Sequence, residues 1–310
     1  MRVLFLGTGE IAIPTFQALL GSEQEVVGLV TQPDKAVGRS SKLRPPAIKV
    51  IAEEAGLPVL QPEKIREPEA LAAIEALQAD LMVVMAYGQI LPKALIEMPA
   101  VAIINLHASL LPKYRGASCI QSAILNGDAE TGWSVMHVVK ALDAGDVIHV
   151  LKTPITPDDT GESLHDRLAE LGPQALLATL PLLESGEAPR IPQDESQTTY
   201  APKLDREDAR LDWSQPAGEL ERRVRALHSW PGSYALFDDA RGKEKRLKLF
   251  PPVAVDEARG EPGEILSGEG EELHVACGEG SLRFSEVQAD GGKRMSGGDF
   301  LRGTQPAALK

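Results

Sequence analysis

Four apolar runs, RVLFLG, EVVGLVTQ, DLMVVMAYG and VAIINLHAS, constrain the fold of this chain more than any other feature. Each is rich in β-branched residues, and each stays apolar at odd and even positions alike. Side chains of a strand alternate between faces, so strands of this kind must be covered on both sides. Between them, PTFQALLGS, PPAIKVIAEEAG and EALAAIEALQ repeat apolar residues near every 3.6 positions and close on Gly or polar residues. The alternation predicts an α/β domain: a mostly parallel sheet with helices on both faces. WSVMHVV and VIHVLKTPI predict two further strands. SLHDRLAELGPQALLATLPLLESG predicts a long helix begun by Ser163, interrupted near Gly172–Pro173 and ended at Gly186.

The pattern then changes. EAPRIPQDESQTTYAPKL is polar, carries prolines and has no apolar period, as a linker would. Beyond it come one amphipathic helix, AGELERRVRALHSW, and short runs between Gly and Pro: YALFD, RLKLFPPVAV, GEILSG and ELHVACGEGSLRFSEVQ. These predict a small β-barrel or open antiparallel sheet. The expected organisation is therefore a first domain over residues 1–188, a linker over 189–204 and a smaller domain over 205–310.

Charge limits the partners. With 32 Lys and Arg against 45 Asp and Glu, the net charge is −13, so a uniformly basic nucleic-acid surface is excluded. Even residues 205–310 hold 16 basic and 20 acidic groups. Positive charge is local: Lys35, Arg39, Lys42, Arg44 and Lys49 surround Asp34; Arg222, Arg223 and Arg225 share a predicted helix; and Arg241, Lys243, Lys245, Arg246 and Lys248 face Glu244. Three patches on an acidic body admit a polyanionic substrate bound locally. An aromatic content of 4% gives no stacking platform for single-stranded bases. No apolar run is long enough for a membrane span. The two cysteines, Cys119 and Cys277, are far apart and lack metal-ligand spacing, which fits a reducing, cytoplasmic setting and small core thiols.

Two stretches could carry chemistry. Gly7-Thr8-Gly9-Glu10-Ile11-Ala12 satisfies the loose dinucleotide-binding pattern, with Asp34 near the place of a ribose ligand. A long basic loop follows Asp34 instead of a neat crossover, so the stretch reads as a tight strand-to-helix turn. The stronger signal is INLHASLLPKYRGA. Asn105 and His107 are two apart at the end of a buried strand and so share a face. Downstream, KALDAGDVI places Asp143 in a turn between strands, with Asp146 as its rival. An Asn amide can donate to a developing oxyanion. A His can stabilise the same charge or shuttle a proton, with a carboxylate to set its charge and orientation. The trio suits attack on a carbonyl carbon without an enzyme nucleophile.

N-x-H followed by SLLPKYRGA, with LDAGD farther on, resembles the folate-dependent formyltransferases. TQPDKAVGRSSKLRPPAIKV, LQADLMVVMAYGQILPKALIEMP, TYAPKL and LDWSQPAGELERRVRALHSWPGS narrow the resemblance to the branch acting on methionyl-tRNA, over nearly the whole chain. The resemblance implies a Rossmann-like catalytic domain and a C-terminal oligonucleotide-binding (OB-like) barrel. It implies 10-formyltetrahydrofolate as formyl donor, methionyl-initiator tRNA as acceptor, and no metal, membrane or DNA partner, in a monomer. Asn105 and His107 would hold the tetrahedral oxyanion, while Asp143 would keep His107 charged and help remove the amine proton. Ser109, Leu110, Leu111 and Pro112 would line the folate site, with Ala86, Tyr87, Gly88, Ile90, Leu91 and Pro92 beside the pterin. Arg39, Lys42 and Lys203 would meet the tRNA, and the basic clusters of the second domain would grip its phosphates.

The chain departs from that pattern in places. Gly38-Arg39-Ser40-Ser41-Lys42 stands where the family often has G-R-G-K-K. MHVVKALDAGD keeps Asp143 but lacks an upstream Asp and a Gly, and it puts His137 where a Gln is common; His137 is read as structural.

Overall fold

The computed structural model describes residues 1–37, 42–239, 241–266 and 272–310. The chain divides into two compact units. One comprises Met1–Gly116, Thr131–Thr153 and His165–Tyr200; the other comprises Ala117–Glu130, Pro154–Leu164 and Ala201–Lys310.

The first unit is built on a seven-stranded sheet. Its strands are β1 (Arg2–Gly7), β2 (Glu25–Val30), β3 (Val59–Leu60), β4 (Leu81–Met85), β5 (Ala102–His107), β6 (Glu130–His137) and β7 (Val147–Pro154). They lie in the order β7-β6-β5-β4-β1-β2-β3. Pairing is parallel from β3 through β5, and β6 runs antiparallel to β5. The four apolar runs are covered on both sides as expected. Leu4 and Leu6 pack with Ile74, Met82 and Ile103. Phe5, between them, meets the ring of Phe16 at 5.1 Å. All three strand residues are fully buried. Strand order reverses between β1 and β4, the place where open α/β sheets leave a crevice beyond the carboxyl ends of their strands.

The long helix runs from Gly161 to Glu184 without interruption, with Pro173 and Pro181 inside it. Its N-cap is Thr160, not Ser163: Thr160 Oγ1 accepts from the Ser163 N–H (3.1 Å) and Ser163 Oγ from the Thr160 N–H (2.9 Å), a reciprocal capping box. Gly172 is a packing residue, because a Cβ there would sit 2.3 Å from Thr15 Oγ1. A short hairpin, Lys35–Val37 with Lys42–Arg44, begins the basic stretch that sequence presents only as a loop.

The second unit holds antiparallel sheets of four and three strands. The four-stranded sheet contains Tyr234–Asp238, Glu244–Leu249, Glu286–Ala289 and Met295–Ser296; the three-stranded one contains Val253–Asp256, Leu273–Ala276 and Ser281–Phe284. GEILSG contributes only isolated bridges at Glu264 and Ile265 among its described residues. A closing helix, Gly297–Thr304, is not among the predicted elements; its cap is Ser296, whose Oγ accepts from the Asp299 N–H. One core unites both sheets with helix Ala217–Ala226, around Trp213, Val224, Phe237, Phe284 and Phe300. Phe284 is fully buried edge-on to Trp213, with ring centroids 6.3 Å apart. Phe284→Ala is expected to cost about 3–5 kcal/mol, read as a lower midpoint of the second unit's urea transition followed by Trp213 fluorescence.

Candidate active site

The fold brings Asn105, His107 and Asp143 to one end of the sheet. Asn105 lies between Val84 of β4 and Met136 of β6, and His107 stands opposite Ser134. Leu106 between them faces away into the core, 3% exposed. Both polar side chains therefore project from one face at the carboxyl end of β5. The Asn105 carboxamide is half-buried and has no hydrogen-bond partner among the described residues.

His107 is 6% exposed. Its Nε2 lies 2.8 Å from the carbonyl oxygen of Tyr114. A carbonyl can only accept, so Nε2 carries a proton and Nδ1 is the nitrogen free to gain or lose one. Nδ1 faces Asp143 Oδ2 at 3.8 Å. That is within ion-pair range but too long for a hydrogen bond. The same Oδ2 accepts the Gly116 N–H at 2.8 Å. Asp146, the rival carboxylate, instead lies 3.9 Å from Arg190 Nη1.

Three residues around the site hold a left-handed backbone without being glycine: Ala86 (φ 50°), Tyr114 (φ 60°) and Asp143 (φ 48°). Such conformations cost free energy and collect at functional sites. Here each re-aims a main-chain group at a turn. Tyr114 directs its carbonyl at His107, and Asp143 sits at the bend of the turn leading to β7. Gly145 locks the far limb of that turn, since a Cβ would lie 1.7 Å from the His137 carbonyl. His137 is buried at 8% exposure, and burial, aided by Arg190, pulls its imidazole below its ordinary value. A buried neutral ring fits the structural reading of this residue.

The loop after β5 is held from within. Ser109 is fully buried; its hydroxyl donates to the Lys113 carbonyl (2.6 Å), so it supports the loop's shape. Ser134 Oγ donates to the Ser109 carbonyl (2.7 Å) and accepts the Leu111 N–H (3.0 Å). Leu110, Leu111 and Pro112 remain half-buried, as does Leu91, and Ile90 is 89% exposed. These apolar side chains are available to a flat ring. Tyr87 is not: its side chain belongs to the core at 2% exposure, and burial pushes its hydroxyl up to about 12. What Tyr87 offers the crevice is main chain, and its carbonyl accepts from Gln32 Nε2 (3.0 Å) and Thr8 Oγ1 (3.3 Å).

The Gly7–Ala12 turn behaves as a tight turn. The Gly9 N–H donates to the Ala86 carbonyl, and a Cβ at Gly7 would meet the Met85 carbonyl at 2.9 Å. Asp34 is bound by Gln61 Nε2 (2.7 Å) and Lys49 Nζ (3.0 Å), which together hold its carboxyl below the usual range. It braces the root of the basic hairpin.

Of the basic residues expected to meet tRNA, Lys203 is exposed in the second unit. Arg39 lies outside the described residues, and for Lys42 the strand backbone alone is described. The helical arginines make contacts inside the second unit. Arg222 Nε donates to the Leu125 carbonyl (3.2 Å), Arg223 to the Asp208 carbonyl, and Arg225 to Glu221 and to the Asp159 carbonyl (2.7 Å). Each of these three guanidinium groups thus makes at least one contact with a carbonyl inside its own unit. Lys248 stays exposed; Arg246 lies over the Tyr234 ring and pairs with Glu207.

Sequence reasoning missed Ser134, Gln193 and Arg115. A lone polar residue in a strand or a polar segment carries no sequence signal for the loop it will hold. Among the described residues, no group of three or more His, Cys, Asp or Glu is placed to hold a metal ion, and no helix is long and apolar enough to cross a membrane.

Comparison with known proteins gives this geometry its context. Residues 1–180 match the formyl transferase family, and residues 203–305 match the formyl transferase C-terminal domain. The methionyl-tRNA formyltransferase of Akkermansia muciniphila is 48% identical over 304 residues, covering 98% of this chain and 96% of that protein. That of Geobacter sulfurreducens is 45% identical, covering 98% and 94%. Among solved structures, the sugar 3N-formyl transferase WlaRD shares the fold with a TM-score of 0.68 at 14% identity, over 92% of this chain and 97% of that one. HypX from Aquifex aeolicus, solved with tetrahydrofolic acid, gives a TM-score of 0.63 at 21% identity, over 97% of this chain and 47% of that one. Family match, full-length likeness and converging side chains agree: the chain belongs to the formyl transferase family, and its curated relatives there are methionyl-tRNA formyltransferases.

Proposed function

We propose that the chain transfers the formyl group of 10-formyltetrahydrofolate to the α-amine of methionyl-initiator tRNA, leaving N-formylmethionyl-tRNA and tetrahydrofolate. The observation that carries this reading is the convergence of Asn105, His107 and Asp143, in a chain alike over its full length to methionyl-tRNA formyltransferases.

The residues divide the work as follows. When the amine attacks the formyl carbon, a nitrogen–carbon bond forms and the formyl oxygen gains negative charge. The Asn105 amide donates to that oxygen, and His107, protonated at Nδ1, adds positive charge beside it. Asp143 Oδ2 stands at Nδ1 to hold that charge and to take up the amine proton through water. Collapse of the adduct breaks the bond to the folate nitrogen, which leaves with a proton. Leu91, Leu110, Leu111 and Ile90 offer an apolar lip to the pterin, and the main chain of Ala86–Gly88 offers polar groups.

On the acceptor side, Arg39 and Lys42 in the basic insert and Lys203 would meet the end of the tRNA, and the second unit would be an OB-like fold. An acidic chain of net charge −13 fits local contacts whose affinity falls steeply with salt. A cytoplasmic monomer without a DNA partner completes the reading.

Offering 10-formyltetrahydrofolate with methionyl-initiator tRNA, methionyl-elongator tRNA or an amino-sugar nucleotide tests it. Formylation of the initiator alone is expected. Transfer to the sugar and to neither tRNA would keep the three catalytic side chains and overturn the acceptor. Arg39→Ala is expected to lower tRNA formylation by about tenfold or more while folate affinity stays near wild type, the loss of one charge-assisted phosphate contact. Equal loss of both would make the insert a folding element.

A further inference from the structure

Three consecutive residues, Tyr114, Arg115 and Gly116, each hold a different part of the site. Tyr114 fixes His107 through its carbonyl, and Gly116 fixes the Asp143 carboxylate through its N–H. Arg115 points the other way. It is 2% exposed, and its Nε and Nη2 donate to Gln193 Oε1 at 3.1 and 2.8 Å. Glu195 balances its charge, receiving Nη1 at 3.1 Å and Nη2 at 2.7 Å. Gln193 Nε2 in turn donates to the carbonyls of Asp143 and Gly145, both at 2.8 Å.

The polarity of that amide is dictated. A guanidinium only donates, so the amide oxygen must face Arg115, and both N–H bonds must face the turn. The turn requires such a clamp: Asp143 holds φ 48°, which other contacts must sustain. The result is a closed ring, running from the Asp143 carboxylate to Gly116, through Arg115 to Gln193, and back to the Asp143 carbonyl. The segment carrying Gln193 reads in sequence as a polar linker, yet its neighbour Thr199 also receives the Tyr114 N–H on Oγ1 (2.9 Å).

We propose that Gln193 is a positioning residue for Asp143, held in its working orientation by Arg115, so that the linker segment sets the aim of the carboxylate at His107 Nδ1. The proposal rests on the formyl-transfer reading above. Gln193 touches no reacting atom; its effect passes through the turn, and a displacement of about 1 Å there is enough to cost catalysis on the order of 100-fold.

Gln193→Glu keeps the acceptor for Arg115 but removes both donors, and Gln193→Met removes the donors without adding charge. Each is expected to lower kcat for initiator-tRNA formylation by about 100-fold while the KM values for tRNA and 10-formyltetrahydrofolate change by no more than about threefold. In the double variant with Asp143→Asn, the Gln193 substitution is expected to add little further loss, because both act on one group. Near-wild-type kcat in Gln193→Met would overturn the positioning role, as would losses that multiply in the double variant or a rise in both KM values with a falling Tm. A wild-type protein that formylates no tRNA would instead overturn the functional reading.

Discussion

Asp143→Asn is expected to lower the single-turnover rate of formyl transfer by about 10²–10⁴, the range of a positioned general acid–base group. The substitution is isosteric, and the scaffold tolerates it. An amide oxygen can still accept the Gly116 N–H, and Gln193 still holds the turn through its main-chain carbonyls. What disappears is the negative charge 3.8 Å from His107 Nδ1. With Nε2 committed to the Tyr114 carbonyl, Nδ1 is the nitrogen that faces the carboxylate. The rate loss should therefore appear in the chemical step with the thermal unfolding midpoint unchanged. A variant turning over near the wild-type rate would remove Asp143 from the proton-handling role. It would move attention to Asp146, which in this structure faces Arg190 instead.

Asn105→Ala is expected to reduce kcat by about 10²–10³, the cost of removing one donor to a developing oxyanion. KM for either substrate should move little, because the donor acts on charge that appears only as the tetrahedral adduct forms. The fold should be indifferent, since no partner among the described residues loses a hydrogen bond to this carboxamide. Combined with His107→Ala, the losses should fall short of their product, because both groups serve the same oxygen. Steady-state kinetics of the two single variants and the double variant check this. A parallel rise in KM for 10-formyltetrahydrofolate would assign Asn105 to substrate binding instead.

Legibility varied with the range of the interaction. The apolar runs that became β1, β2, β4 and β5 could be read because burial on both faces leaves a continuous local signature. Asn105 and His107 could be placed on one face because strand periodicity is local too. The pattern predicts the long helix but with an interruption near Gly172–Pro173, which the structure does not show. Two prolines, each lacking an N–H, and a glycine fitted against Thr15 do not stop it. The closing helix Gly297–Thr304 is not predicted, because three glycines in eight residues lower its helix propensity and leave it little local signal.

The two-residue spacing of Asn105 and His107, the apolar strands that aim them, and the family likeness are properties of the sequence by itself. They determined the α/β class, the candidate chemistry and the donor of the formyl group. Only the tertiary structure decided which nitrogen of His107 faces Asp143, that Tyr87 is core, and that Arg222, Arg223 and Arg225 each contact a carbonyl within their unit. It also decided that Gln193, fifty residues downstream, grips the turn carrying Asp143. Local alternation and capping arise from neighbours along the chain, so they leave a pattern there. Hydrogen-bond partners across a fold are chosen by geometry after the strands have packed, and no spacing in the chain records that choice.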